Sequence, residues 1–143
     1  MDFNEVLPFL EQNHTAVVTT VTSTGAAQAT VVSAGPYQGQ IAFVSRGNTI
    51  KVKNALKRGR ATVTVVRTTD NRYVTVEGAA VVRGWDNTSG PDLLSLLRNV
   101  YTATGRPPER WQDFDGAMEK EQRTVVLVSP QRVYGSLQAH AAS

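Results

Sequence analysis

The residues with the clearest chemical meaning cluster at the start of one short predicted helix, about Thr49 to Arg58. Lys51 falls at its second or third position and Lys53 one turn from the start, where the positive end of the helix dipole disfavours cations. A bound anion reverses that penalty. It would meet the free N–H groups of the first turn, the hydroxyls of Ser45 and Thr49, and the charges of Arg46 and Lys51. Asn54, three residues beyond Lys51, shares its helix face and adds an amide donor. A solvated basic helix accounts for the same residues without a ligand, and the spacing alone leaves both readings open.

A second set follows Gly25. Gln28 and Thr30 point to one face of an uncharged strand. An amide and a hydroxyl flanked by Ala and Val suit the polar edge of a flat heterocycle, or simply a solvated strand face. Other candidates carry less. Glu77 suits an ion pair with a neighbour such as Arg60 or Arg67 better than acid–base work. His14 lacks the partners of a hydrolase triad. Trp85, Trp111 and Tyr101 read as core or subunit-interface residues. No Walker loop, Gly-x-Gly-x-x-Gly turn or metal-ligand spacing is present.

Composition narrows the field further. The 143 residues include no cysteine and two histidines, His14 and His140. That excludes a disulfide framework, a thiolate zinc site, a Cys nucleophile and a multi-His metal centre, and it fits a reducing, cytoplasmic setting. No apolar run reaches the roughly 18–20 residues of a membrane helix, and the acidic start (Asp2, Glu5) is unlike a signal peptide. The net charge of +3 hides an asymmetry: residues 1–45 carry −3, residues 46–72 carry +7, and residues 73–143 carry −1. The positive segment surrounds Lys51. It would also fit single-stranded nucleic acid, but strand aromatics for base stacking are scarce (Tyr37, Phe43 and Tyr73). A compact phosphate-bearing molecule is the expected partner, with no nucleic acid and no membrane.

These side chains must be positioned by elements that the pattern makes legible. One domain is expected over residues 1–143, with a loose tail over 137–143. A helix from about Phe3 to Gln12 is capped by Asp2, with Glu5 in capping-box position. Strands follow at Thr15–Thr22, Ala26–Ala34 and Gln40–Ser45, the last after a turn containing Gly35, Pro36 and Gly39. The Lys51 helix closes at Gly59. Strands at Arg60–Arg67 and Tyr73–Arg83 come next, the second bent or bulged at Gly78. Ser89 caps a helix with a wide leucine face, ending before Gly105. A further helix spans about Glu109 to Gln122, a sixth strand Thr124–Ser129, and Val133-Tyr134-Gly135 ends the ordered chain. Six strands with peripheral helices in so short a chain predict a mainly β protein, a small antiparallel barrel.

Taken together, the residues resemble a known family, the split β-barrel flavin/deazaflavin oxidoreductases related to pyridoxamine 5′-phosphate oxidase. Four stretches carry the likeness: AVVTTVTSTGAAQAT (Ala16–Thr30), TIKVKNALKRGRATV (Thr49–Val63), YVTVEG (Tyr73–Gly78) and RTVVLVSPQRVYG (Arg123–Gly135). Within that family the chain looks most like the B-type, actinobacterial group that uses the deazaflavin coenzyme F420. The resemblance implies a six-stranded antiparallel split β-barrel and a homodimer with the cofactor in a groove between barrels. Lys51, Asn54 and Thr49 match contacts to the phosphate tail, with Ser45, Arg46 and Lys53 nearby. Gln28 and Thr30 match positions beside the ring, and Tyr73 and Arg123 match positions that a partner subunit contributes. Ala26-Ala27 replaces a common basic residue and proline, and Thr49 stands where an arginine often binds the tail, which keeps FMN as the alternative cofactor. The implied reaction is hydride transfer to a small, planar, electron-poor substrate, and no catalytic side chain is assigned, because the cofactor carries the chemistry.

Overall fold

The computed structural model describes residues 1–138. The chain runs α1 (Phe3–Gln12), β1 (Thr15–Val21), β2 (Ala27–Tyr37), β3 (Gln40–Arg46), α2 (Ile50–Arg58), β4 (Arg60–Arg67), β5 (Arg72–Arg83), α3 (Gly90–Ala103), α4 (Trp111–Lys120), β6 (Arg123–Val128) and β7 (Arg132–Ser136). The strand order is β4-β1-β2-β3-β6-β5-β7, and β4 also pairs with β5, so the first six strands close into an antiparallel barrel. The seventh hangs on the free edge of β5. This is the expected split barrel with one strand more than the six anticipated.

Alternation builds the barrel. Ala16, Val18 and Thr20 of β1, Val63 and Val65 of β4, and Val74 and Val76 of β5 are buried, while Thr19, Thr62 and Thr64 on the other face of β1 and β4 are only half-buried. Two long strands then serve both halves. Residues of β2 pair with β1 from Ala27 to Ser33 and with β3 from Ala34 to Tyr37. Those of β5 pair with β4 up to Ala79 and with β6 from Ala80. At the β5 crossing a Cβ on Gly78 would lie 1.9 Å from the Ser129 carbonyl oxygen, so no other residue fits the backbone approach there. The bend expected at Gly78 is thus the seam between half-sheets.

The split leaves a gap, and α2 fills it. Val52 and Ala55 enter the barrel core beside Phe43, Val63 and Val76. A second core forms outside the barrel, where Leu93, Leu97 and Val100 of α3 and Phe114 and Met118 of α4 pack on Ala42 and Val125. Among the described residues no helix is long and apolar enough to cross a membrane, and no group of His, Asp and Glu could hold a metal ion.

Two expectations need correction. The turn assigned to Gly35–Gly39 is shorter, because β2 continues through Gly35-Pro36-Tyr37. The reversal is made by Gln38 and Gly39, with φ of 49° and 76°, a two-residue hairpin that requires positive φ twice. Pro36 is tolerated because it faces Ile41 at a position alternate to the turn-closing pair, where no ladder N–H is needed. Gly35 is required because a Cβ there would meet the Ala103 carbonyl oxygen at 2.1 Å. The second correction concerns the C-terminus. Arg132–Ser136 forms β7 against β5, and Leu137, assigned to the tail, packs on the barrel core. Residues 139–143, with His140, lie outside the described residues.

Candidate functional site

The site begins where β3 ends. Ser45 and Arg46 stand opposite Thr124 and Arg123 of β6, and the buried Thr124 hydroxyl donates to the Ser45 carbonyl at 3.1 Å. The chain then reverses into α2. The Thr49 hydroxyl donates to the Arg46 carbonyl (3.0 Å) and lies 3.1 Å from the Ser45 hydroxyl. Thr49 is therefore the N-cap residue but spends its hydroxyl backwards, making no side-chain cap bond. The first-turn N–H groups of Ile50, Lys51 and Val52 have no partner among the described residues, as at any helix start left for an anion or water.

Lys51 of this turn also lines a cavity of about 270 Å³, together with Val31, Val32 and Ser33 of β2, Val44 and Ser45 of β3, Tyr101 and Thr104 at the end of α3, Arg106, and Arg123. Three cations from three separate elements converge here. Burial, and after it the charge of Arg123, holds the Lys51 ammonium below the ordinary lysine range. Lys51 has no salt-bridge partner among the described residues. Arg123 is held from behind by Glu121 (3.2 Å), whose other oxygen lies 3.3 Å from Arg46. Arg106 reaches the Ser33 hydroxyl at 3.4 Å. Lys51 and Arg106, neither held in an ion pair among the described residues, together with Arg123 and the Ser33 and Ser45 hydroxyls, suit an anion.

The β2 wall adds a second kind of donor set. Bonds from Ala34 N–H to His14 O and from Thr22 N–H to Ala26 O set the phase of the β1–β2 ladder. The backbone groups of Ala27, Ala29, Val31 and Ser33 consequently point away from β1, along the edge that no strand covers. Val31 and Ser33 of that edge line the cavity.

Not every residue singled out in the sequence comes to this place. Ser45, Lys51 and Arg123 line the cavity, and Thr49 adjoins it through Ser45. Arg123 meets Lys51 within one chain. Asn54 turns toward β1, donating to the Thr20 hydroxyl at 3.1 Å. Thr20 pairs with Gln28 across the ladder. Gln28 and Thr30 share the inward side of β2 with Val32, and Gln28 Oε1 and Thr30 Oγ1 are buried without a hydrogen-bond partner. Arg46 lies in a separate groove with Trp85, Lys120 and Glu121. Lys53 is exposed on α2, and Tyr73 lies on β5 between Val66 and Ser136. Glu77 pairs with Arg60 and Arg132, each at 3.9 Å. Arg106 and Tyr101 are among the cavity residues that were not singled out as site residues. Arg106 is separated from Lys51 by more than fifty positions, and no linear spacing connects them. Tyr101 read as a packing residue, since the leucine face of α3 runs into it.

A profile of the pyridoxamine 5′-phosphate oxidase family matches residues 3–136. None of the curated proteins matches the sequence. Solved structures do. A conserved hypothetical protein from Mycobacterium tuberculosis superposes with a TM-score of 0.73 at 16% identity, covering 100% of this chain and 92% of that one. An F420 reductase gives 0.63 at 16% identity over 89% and 94%. The heme storage protein HutZ from Vibrio cholerae gives 0.65 at 11% identity over 94% of each. At these identities the likeness is one of fold.

Proposed function

The chain belongs to the pyridoxamine 5′-phosphate oxidase family, and from that premise we propose that it is a cytoplasmic, B-type F420-dependent reductase acting on a small, planar, electron-poor substrate. The observation that carries the reading is the convergence of Lys51, Arg106 and Arg123 on one cavity at the open start of α2. The donor set fits a phosphate-bearing cofactor. Lys51, Arg123, Ser45 and the first-turn N–H groups would hold the phosphate, with Thr49 supporting Ser45. The uncovered edge of β2 offers backbone N–H and carbonyl groups to the rim of a heterocycle. When bound, the deazaflavin supplies the hydride. The protein's own part is to bind the anion, orient the ring and exclude water, which needs no acid–base pair. Gln28 and Thr30, buried and unsatisfied, mark polar capacity on the same strand.

A homodimer belongs to the proposal. The outward side of β2 carries Ala27, Ala29 and Val31 with no charge, and Val31 is 73% exposed beside the cavity. A second copy laid on this face would cover it and wall the cavity.

Fluorescence titration with F420 tests the reading. Saturable binding is expected, weakened at least tenfold in Lys51→Ala, in line with loss of a charge-assisted contact of about 1.5–3 kcal/mol. Tight binding of FMN with none of F420 would transfer the protein to the flavin enzymes.

A further inference from the structure

Tyr101 closes the cavity on the side of α3, and its ring is braced by a column of aromatic side chains. Phe114 of α4 meets it edge-on, with ring centroids 4.8 Å apart at 82°. Trp111 meets Phe114 in turn at 5.3 Å and 83°. Arg98 of α3 lies 5.1 Å over the Trp111 ring and is fixed by two bonds to Asp115. Edge-to-face packing of this kind holds a ring in one orientation. The Tyr101 hydroxyl has no hydrogen-bond partner among the described residues, although the residue lines a cavity that also holds Lys51, Arg106 and Arg123. Tyr101 is half-buried, so its free O–H is available to a molecule in the cavity.

We propose that Tyr101 is a ligand-contacting residue whose hydroxyl donates a hydrogen bond to a phosphate oxygen of the molecule bound between Lys51 and Arg123. The inference rests on reading the cavity as a phosphate-ester site, but not on which ring the ester carries. Burial raises the phenol above its ordinary range, opposed by Arg123 and Arg106 and reinforced by Glu121. Tyr101 therefore stays neutral, a donor that adds no further charge to a site where Arg123 already depresses Lys51. The column of α4 side chains gives the hydroxyl a fixed direction, so little rotamer freedom is lost on binding.

The test uses the intact protein and inorganic pyrophosphate at low ionic strength, with affinity read by calorimetry. Wild type is expected to bind, and Tyr101→Phe, which keeps the ring and its packing, to bind about tenfold more weakly at an unchanged melting temperature. In wild type, pyrophosphate should also move one alkaline phenol transition in the ultraviolet to higher pH, a shift absent in the variant. Tyr37, Tyr73 and Tyr134 lie outside the cavity lining, so this titration tests the role even if the variant folds poorly. Equal affinity of the two proteins, no phenol shift, or no binding by wild type at millimolar pyrophosphate would each overturn the proposal. Failure to bind F420 with the pyrophosphate result intact would remove the cofactor reading and leave Tyr101 supported.

Discussion

Lys51 shows how a residue gains meaning from its neighbours. A lysine in the first turn of a helix opposes the dipole, and here burial and Arg123 press further against its charge. An anion in the cavity favours the charged form and raises the pKa again. Affinity for F420 should be full below the pKa of the free protein and fall as pH rises through it, until the bound-state pKa is passed. The decline should begin at lower pH than an ordinary lysine gives. Calorimetric titrations from about pH 7 to about pH 10 measure it. Lys51→Arg, which stays charged throughout, should flatten the curve; a flat wild-type profile would count against the role. The same logic separates Arg46 from Arg123. They face each other across β3 and β6, a repulsive pairing that Glu121 bridges, and only Arg123 lies on the cavity side.

Elements position these residues through backbone contacts that tolerate little change. Gly78 lets β5 pass from one half-sheet to the other, and a Cβ there would be driven into the Ser129 carbonyl. Gly78→Ala should therefore cost about 1–3 kcal/mol or more. Gly116, inside α4, meets no atom within 4 Å of an added Cβ, so Gly116→Ala should stabilise by up to about 1 kcal/mol through helix propensity. Urea unfolding of the two variants checks both signs, and a destabilised Gly116→Ala would contradict the account of α4. The α3–α4 pair matters to the site through rigidity. Its aromatic column and the Arg98–Asp115 pair hold Tyr101, while the turn after α3 carries Arg106 to the rim.

At the scale of the molecule, the split in the barrel is the feature that makes a site. A fully paired β2 would present no free backbone edge, and a barrel without α2 would lack both a filled core and the helix that carries Lys51. The proposed dimer belongs to this scale. Sedimentation should give twice the chain mass of 15.5 kDa, and Val31→Asp, which places a charge on the uncharged face, should shift the protein to the monomer. A wild-type monomer at tens of micromolar would reject this interface. The sequence by itself determined the element types, the burial alternation and the basic, dipole-opposed start of α2, because these depend on neighbours within a turn or a strand. It also marked Gly78 as a bulge or bend, whereas its place at the change of partner from β4 to β6 came from the strand pairing. Only the tertiary structure decided which cations share the cavity. Strand pairing sets Arg123 beside the end of β3, α3 ends over the same opening, and α2 turns Lys51 inward while Lys53 and Arg46 face elsewhere. Such convergence depends on contacts between residues far apart in the chain, which local spacing does not encode.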